Sequence, residues 1–261
     1  MTEFSPRQQT ALQLIKLIDL TSLNQDDTET SMLALCQQSN TPFAQVAALC
    51  VYPQFIPYCK QQLRELKHEV IRLATVVNFP QGQQSVDAVC QMTAQALDAG
   101  ADEIDLVFPY HSYLSGDQQH AIKMLKAVKA LCHGKVLKVI LESGMIADDV
   151  TLKTMCQLSL DNGADFLKTS TGKVAVNATP AAARIMLESI RDGGYQCGFK
   201  AAGGIRNLDE ARVYLELCRE ILGDQAIHPT RLRFGASSLL QNLLNELAHP
   251  AAPEPINATG Y

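Results

Sequence analysis

The sequence predicts an α/β protein with a closed (β/α)₈ TIM barrel, and two observations support this fold class. Eight short apolar runs alternate with longer amphipathic runs over 261 residues, and barrels of this kind commonly form one domain from about 250 residues. The short runs are mostly continuously apolar, as expected of parallel strands covered on both faces. We therefore expect a single domain over 1–261, in which 249–261, rich in Pro and Ala, forms a mobile C-terminal tail.

The predicted strands follow one another at regular intervals along the chain. They lie at 15–20, 47–52, 71–77, 103–108, 136–142, 165–170, 197–203 and 231–235. The alternative is an open doubly wound sheet, but the G-x-G-x-x-G turn that usually follows its first strand is missing. Eight strand–helix alternations within one domain length favour the closed barrel.

Capping residues mark where the intervening helices begin and end. Ser85 can cap a helix that Gly100 stops, and Asn207 can cap the helix that begins at Leu208. Pro180 fits the first turn of another helix. The residues before Asp19 predict a short extra helix at the N-terminus.

Composition and charge argue against several classes of protein. A formal net charge of −5 gives no electrostatic reason to expect nucleic acid or an anionic membrane as a partner. The N-terminus has no signal-peptide pattern, and no apolar run has the length needed to cross a bilayer. The eight cysteines form no C-x-x-C pair and are expected to be reduced thiols. We expect a cytoplasmic protein whose oligomeric state the sequence does not fix, although a homodimer fits it.

Catalytic groups of such barrels lie at the C-terminal ends of the strands. This rule selects a small set of polar positions before any family is considered. They are Asp19, Cys50, Asn78, Asp105, Glu142, Lys168, Lys200 and the Gly-Ala-Ser-Ser segment 235–238.

Lys168 and Lys200 stand out because each interrupts an apolar run that should be buried. Strand alternation places Lys168 on the same face as Phe166. A single lysine could be explained by a salt bridge or by a side chain that reaches the rim. Lysine is almost never fully buried without a partner, so two at neighbouring strand ends favour a functional role.

The function that we predict for these two lysines is imine chemistry. A lysine with a pKa of about 10.4 is neutral in only roughly one molecule in 2,500 at pH 7. Burial and a second ammonium both lower that pKa, so one lysine can attack a carbonyl while the other stays charged and handles protons. Asp105 is the best-placed carboxylate for proton transfer. Asp102, at the entrance to the same strand, is expected to have a structural role, and Glu103 is ambiguous. Asp19 and Glu142 are weaker candidates for positioning water or a substrate hydroxyl.

Glycines after the last three strands predict a phosphate site. Bare amides at glycines and at a helix N-terminus bind phosphate, and barrels often use the loops after strands seven and eight for this. Each glycine alone could equally be an ordinary turn. The six histidines show no metal-ligand spacing, so we expect neither a metal nor another cofactor. The residues of the predicted phosphate site are Gly172, Lys173, Gly203, Gly204, Gly235, Ser237 and Ser238.

Eight blocks of the chain resemble the successive motifs of one enzyme family. They are LIDLTSL, CVYP, VNFPQG, GADEIDLVFPY, LKVILESG, FLKTSTGKV, GFKAAGGIR and RFGASSLL. From about residue 10 to Tyr261 the chain is similar to the 2-deoxyribose-5-phosphate aldolases, class I enzymes of gamma-proteobacterial type. The resemblance implies reversible cleavage of 2-deoxy-D-ribose 5-phosphate to D-glyceraldehyde 3-phosphate and acetaldehyde.

The resemblance also implies roles for individual residues. Lys168 matches the Schiff-base lysine, Lys200 the proton-handling lysine and Asp105 the acid/base carboxylate. Cys50 matches a cysteine that lines the pocket, and Tyr261 a terminal tyrosine that assists proton transfer. The implied phosphate-binding residues are Lys173, Gly204, Gly235, Ser237 and Ser238. The chain departs from the family pattern at Ala201 and Val77, where the resemblance leads us to expect Pro and Thr.

Three other functions compete with this aldolase. One is a different lysine-dependent activity on another phosphorylated sugar. A second is a catalytically silent barrel that binds phosphosugars, which the presence of both lysines and Asp105 argues against. A third, nucleic-acid binding, lacks a basic stripe and aromatic stacking platforms.

Overall fold

Eight parallel strands close into a barrel in which each strand pairs with its neighbours in chain order and β8 pairs with β1. The computed structural model describes residues 4–248. The predicted tail, including Tyr261, lies outside the described residues. The strands are β1 (Ile18–Thr21), β2 (Ala48–Val51), β3 (Arg72–Val77), β4 (Glu103–Val107), β5 (Val136–Ile140), β6 (Phe166–Lys168), β7 (Gly198–Ala202) and β8 (Leu232–Ala236).

Helices surround this barrel, as predicted. Within residues 4–248, no helix is both long and apolar enough to cross a membrane. The α-helices are α1 (Pro6–Ile15), α2 (Glu29–Gln38), α3 (Ile56–Glu65), α4 (Val86–Asp98), α5 (Tyr110–Leu114), α6 (Gln118–Cys132), α7 (Asp149–Asp161), α8 (Pro180–Asp192), α9 (Leu208–Leu222) and α10 (Leu239–Ala248). Short 3₁₀ helices occur at Pro53–Phe55, Ser143–Met145 and Asp224–Ala226.

The predicted helix starts are confirmed. The side chains of Ser85, Thr179 and Asn207 each accept a hydrogen bond from a backbone amide three residues further on, which satisfies a group that the helix itself leaves unpaired. The extra N-terminal helix is α1, which begins at Pro6 after a capping box at Ser5 and packs against α10.

The register of the strands decides which side chains meet inside the barrel. Lys168 on β6 lies directly beside Lys200 on β7, and Asp105 on β4 lies beside Lys138 on β5. Every residue of β2, β4 and β7 is buried. The barrel interior therefore holds charged groups away from water.

Candidate active site

Asp105 is the centre of a buried ionic cluster. One of its oxygens, Oδ2, accepts hydrogen bonds from Nζ of Lys168 at 2.7 Å and from Nζ of Lys200 at 2.8 Å. The other, Oδ1, accepts from Nζ of Lys138 at 2.8 Å. The structure therefore brings together the two lysines and the carboxylate that the sequence singled out. Asp105 lies in the middle of β4, deeper than the strand end at which it was predicted.

A second carboxylate, Asp19 on β1, supports the same cluster. Its Oδ2 accepts a hydrogen bond from Lys200 at 2.5 Å and lies 3.5 Å from Nζ of Lys138. Its Oδ1 accepts from Arg233 at 2.5 Å. All of these contacts are buried, so Asp19 holds neighbouring cations in place within the protein interior.

Lys138 and Arg233 are members of the cluster that sequence reasoning missed. Lys138 is fully buried and contacts Glu103 at 2.5 Å, and Arg233 donates to the other oxygen of Glu103 at 2.9 Å. Both residues interrupt apolar runs, VLKVILE and RLRFG, as Lys168 and Lys200 do. Applying the same criterion to every strand would have found them.

The three lysines differ in how easily they lose a proton. Burial lowers the pKa of Lys168, the ammonium of Lys200 lowers it further, and Asp105 only partly opposes these effects. Burial also lowers the pKa of Lys200 and of Lys138, but for each of them nearby carboxylates outweigh burial and the net pKa is raised. Lys168 is thus the amine that is most readily neutral.

The carboxylates stay charged for the complementary reason. Burial alone would raise the pKa of Asp105, but the surrounding lysines outweigh it and the pKa falls well below its usual range. The same balance, with Lys200 as the largest opposing charge, lowers the pKa of Asp19. Asp105 is therefore an ionised hydrogen-bond acceptor that can orient Lys168.

Above the cluster, an open cavity of about 390 Å³ lies at the C-terminal ends of β6, β7, β8 and β1. Lys168 reaches the floor of this cavity from below. The residues of the predicted phosphate site all line the cavity wall, namely Gly172, Lys173, Gly203, Gly204, Gly235, Ser237 and Ser238. Ser237 and Ser238 directly precede α10, so the N-terminus of this helix lies beside the cavity.

Glycine is required at two places in this wall for different reasons. Gly204 has φ +83°, a left-handed conformation that other residues rarely adopt, although a Cβ atom there would meet no other atom within 4 Å. Gly235 has no such conformation, but a Cβ atom there would lie 3.0 Å from Cβ of Ala202 and 3.1 Å from Cε of Lys200. Gly235 therefore leaves room for Lys200 as well as lining the cavity.

Two basic side chains complete the cavity. Lys173 donates from Nζ to the backbone carbonyl of Leu23 at 2.6 Å, which holds its ammonium at the cavity edge. Arg206 lines the cavity from the loop after β7. Arg206 was not among the predicted residues, although arginine is a common ligand of phosphate groups and this one follows Gly204 by two positions.

Glu142 fixes the loop that carries Gly172 and Lys173. This buried residue has a left-handed backbone conformation, with φ 51° and ψ 52°. Its carboxylate accepts from the amide of Thr171 at 3.1 Å and from the hydroxyl of Thr171 at 2.5 Å. Burial raises the pKa of Glu142, and the two bonds from Thr171 partly oppose that rise. Both hydrogen bonds of the Glu142 carboxylate thus go to the loop, and Lys168 affects this group through its charge alone. The predicted contact with water or a substrate hydroxyl stays a prediction.

The remaining predicted positions lie outside the open cavity. Cys50 is fully buried beneath it, and burial raises the pKa of its thiol. Asn78 uses its side chain to bind the carbonyl of Val107 and the amide of Gln84. Asp102, at the entrance to β4, accepts from the amide of Leu73, which fits the structural role predicted for it.

A closed parallel barrel with a buried amine cluster below an open cavity fits an aldolase, a carbon–carbon lyase, and a family comparison shows that this is the class of the protein. Residues 13–242 match the DeoC/LacD family of aldolases, and the chain belongs to that family.

Solved structures with the same fold extend over nearly the whole chain. The apo form of a provisionally assigned deoxyribose-phosphate aldolase from Toxoplasma gondii ME49 superposes with a TM-score of 0.85 at 25% identity, covering 93% of this chain and 97% of the other. A tetrameric deoxyribose phosphate aldolase from Aeropyrum pernix gives a TM-score of 0.73 at 25% identity, covering 92% and 96%. The predicted barrel and aldolase class are confirmed.

Proposed function

We propose that the protein reversibly cleaves 2-deoxy-D-ribose 5-phosphate to D-glyceraldehyde 3-phosphate and acetaldehyde, with Lys168 as the covalent nucleophile. The observation that supports this proposal best is the position of Lys168 between two different environments. Below it lies Asp105 at 2.7 Å, and above it lies the glycine-lined cavity. A phosphorylated aldehyde bound in the cavity would have its phosphate near the glycines and its carbonyl near the amine. The deoxyribose-phosphate aldolases among the structural relatives support the choice of substrate.

The first half of the reaction forms the imine. Neutral Lys168 attacks the aldehyde carbon, and the carbinolamine loses one molecule of water to give an iminium. Lys200 remains an ammonium because Asp105 and Asp19 stabilise its charge, so it can protonate the departing hydroxyl. Asp105 orients both amines through a single oxygen.

The second half breaks the carbon–carbon bond. The hydroxyl on C3 of the sugar gives up its proton, through water, to the Asp105–Lys200 pair, and the C2–C3 bond breaks. C3 becomes the aldehyde of glyceraldehyde 3-phosphate, while the bonding electrons flow into the iminium and leave an acetaldehyde enamine on Lys168. Protonation of the enamine and hydrolysis release acetaldehyde and restore the amine.

Phosphate binding would use neutral groups more than charges. The phosphate would accept hydrogen bonds from amides around Gly172, Gly204 and Ser238, which line the cavity, while Lys173 and Arg206 add positive charge at its edge. This local arrangement suits a chain whose formal net charge is −5, because it attracts a phosphate without a positive field over the whole surface.

Product analysis tests the proposed function directly. Purified protein is incubated with 2-deoxy-D-ribose 5-phosphate, with and without a chelator, and the two products are separated and quantified. We expect equimolar acetaldehyde and glyceraldehyde 3-phosphate at rates that the chelator leaves unchanged. Turnover of a different phosphorylated sugar alone, or turnover abolished by the chelator, would contradict the proposal.

The predicted homodimer and cytoplasmic location stay predictions. The Aeropyrum pernix relative is described as a tetramer, which makes self-association a reasonable expectation for this chain. Light scattering on the purified protein measures its molar mass and distinguishes a monomer from a dimer or a tetramer.

A further inference from the structure

An unbroken series of ion pairs runs through the barrel from Lys168 to the opposite face. Lys168 contacts Asp105 at 2.7 Å, Asp105 contacts Lys138 at 2.8 Å, and Lys138 contacts Glu103 at 2.5 Å. Glu103 then contacts Arg233 at 2.9 Å. Each link is within hydrogen-bond distance, so the series joins the nucleophile to residues that no substrate in the mouth could touch.

The far end of the series lies beside a second cavity. Glu103 and Arg233 line a space of about 550 Å³ at the N-terminal ends of the strands. Both side chains nevertheless stay buried, with exposed side-chain fractions of 2% and 6%. Lys135 lines the same cavity but has 45% of its side chain exposed. Among the cations that line this cavity, Arg233 is therefore buried, whereas Lys135 is largely exposed and pairs with Asp102 at 2.9 Å.

The charges of the cluster do not balance when every member is ionised. Among the residues that the structure describes, the ion-paired interior contains three carboxylates (Asp19, Glu103, Asp105) and four cationic side chains (Lys138, Lys168, Lys200, Arg233). Glu142 is also buried near Lys168, but it forms no ion pair with any other described residue, and burial raises its pKa. Lys168 contacts a single carboxylate, whereas each of the other cations contacts at least two. The excess positive charge is most easily removed by loss of a proton from Lys168.

We propose that Glu103 and Arg233 are positioning residues that set, from the far end of the barrel, how readily Lys168 loses its proton. They act through the buried charges between them, because charges interact much more strongly in a water-poor interior than across solvent. Removing Arg233 favours the ammonium form of Lys168, and removing the charge of Glu103 favours the neutral amine.

The groups that face Lys168 directly are unchanged by these substitutions. They are Asp105 on β4, Lys200 on β7, Cys50 on β2 and Glu142 in the loop after β5. Beyond them, Lys138 on β5 and Asp19 on β1 link Lys168 to the far end. A shift in the titration of Lys168 in these variants would therefore have to be transmitted through the cluster.

The test measures the titration of Lys168 in four variants, and it depends on the proposed role of Lys168 as nucleophile. Acetaldehyde with borohydride traps the imine on the lysine, and its initial rate against pH reports the neutral amine. We expect the midpoint to rise by about one pH unit in Arg233→Met and to fall by about one unit in Glu103→Gln. Lys135→Met removes an exposed cation at the same end and should shift it by less than about 0.2 unit.

Opposite shifts are the essential result, because a general loss of structure would move both buried variants in the same direction. Shifts of the same sign, or shifts no larger than that of Lys135→Met, would overturn the inference. Arg233→Lys, which keeps the charge, should stay close to the original midpoint, and Glu103→Gln still decides the matter if Arg233→Met does not fold. Complete absence of trapping in the unaltered protein would instead refute the proposed function itself.

Discussion

The barrel interior and the barrel mouth handle charge in different ways. The interior pairs charged side chains with one another, as Asp105 does with three lysines. The mouth is lined largely by glycine, serine and threonine residues, with Lys173 and Arg206 at its edge. Paired side chains fix the protonation of a buried amine, whereas the proposed phosphate site would hold an anion without altering that amine. We therefore expect the barrel interior to govern reactivity and the barrel mouth to govern substrate affinity.

The largest expected effect comes from the single interior residue that would bond to the substrate. Lys168→Arg keeps a positive charge but cannot form a neutral amine at working pH, so we expect kcat/KM to fall by at least about 10⁴-fold. Steady-state kinetics with 2-deoxy-D-ribose 5-phosphate measure this fall, and a melting temperature close to that of the unaltered protein serves as the control. Retention of a tenth or more of the activity would remove Lys168 from the mechanism.

The next largest effect is expected for Asp105→Asn. This change leaves three amines around an uncharged amide, so we expect kcat to fall by about 10²–10⁴-fold and the free energy of unfolding by about 3–5 kcal/mol. Kinetics and urea unfolding on the same preparation measure both. Asp102→Asn, which alters a carboxylate at the entrance to the same strand, is the matched control for kcat and should change it less than about threefold. Equal losses in kcat for the two variants would contradict a specific role for Asp105.

Substitution in the mouth should change affinity and leave reactivity almost intact. Lys173→Ala removes one charged hydrogen bond to the phosphate, so we expect kcat/KM for the phosphorylated sugar to fall by about 10- to 100-fold, mostly through KM. Activity on 2-deoxy-D-ribose without phosphate should stay within about twofold. An equal loss on both sugars would show that Lys173 affects the lysines and would break the division between mouth and interior.

The smallest effect is expected for the support behind that loop. Glu142→Ala removes both bonds to Thr171 and leaves its hydroxyl and amide unpaired, so we expect KM for the phosphorylated sugar to rise by about 5- to 30-fold. Glu142→Gln keeps an oxygen acceptor and should recover most of that loss. If both variants instead lowered kcat equally on phosphorylated and unphosphorylated sugar, Glu142 would act on the chemistry and not on the loop.

The sequence predicted the fold because its signals are local. Apolar runs, caps such as Ser85 and Asn207, and the alternation of strand and helix all lie within short stretches of chain. Lys168 and Lys200 were recognisable because they interrupt apolar runs, and parallel register then places them side by side. The glycines of the predicted phosphate site were recognisable because turns of this kind depend on residue type.

The parts of the site that escaped prediction depend on contacts between distant segments. The role of Glu142 requires the loop after β5 to meet Thr171 after β6, which no spacing rule indicates. The depth of Asp105 within β4 depends on barrel geometry. Lys138 and Arg233 were missed for a different reason, since the criterion that selected Lys168 applies to them too. Both side chains are buried, as those of Lys168 and Lys200 are.

The proposed chemistry requires Lys168 to be the amine that bonds to the substrate, and trapping followed by peptide mapping tests this most directly. The protein is incubated with acetaldehyde and borohydride, digested and analysed by mass spectrometry. We predict one stable ethyl adduct, located on Lys168, with Lys138 and Lys200 unmodified. An adduct on Lys200 or Lys138, or turnover that continues after treatment without any adduct, would contradict the account.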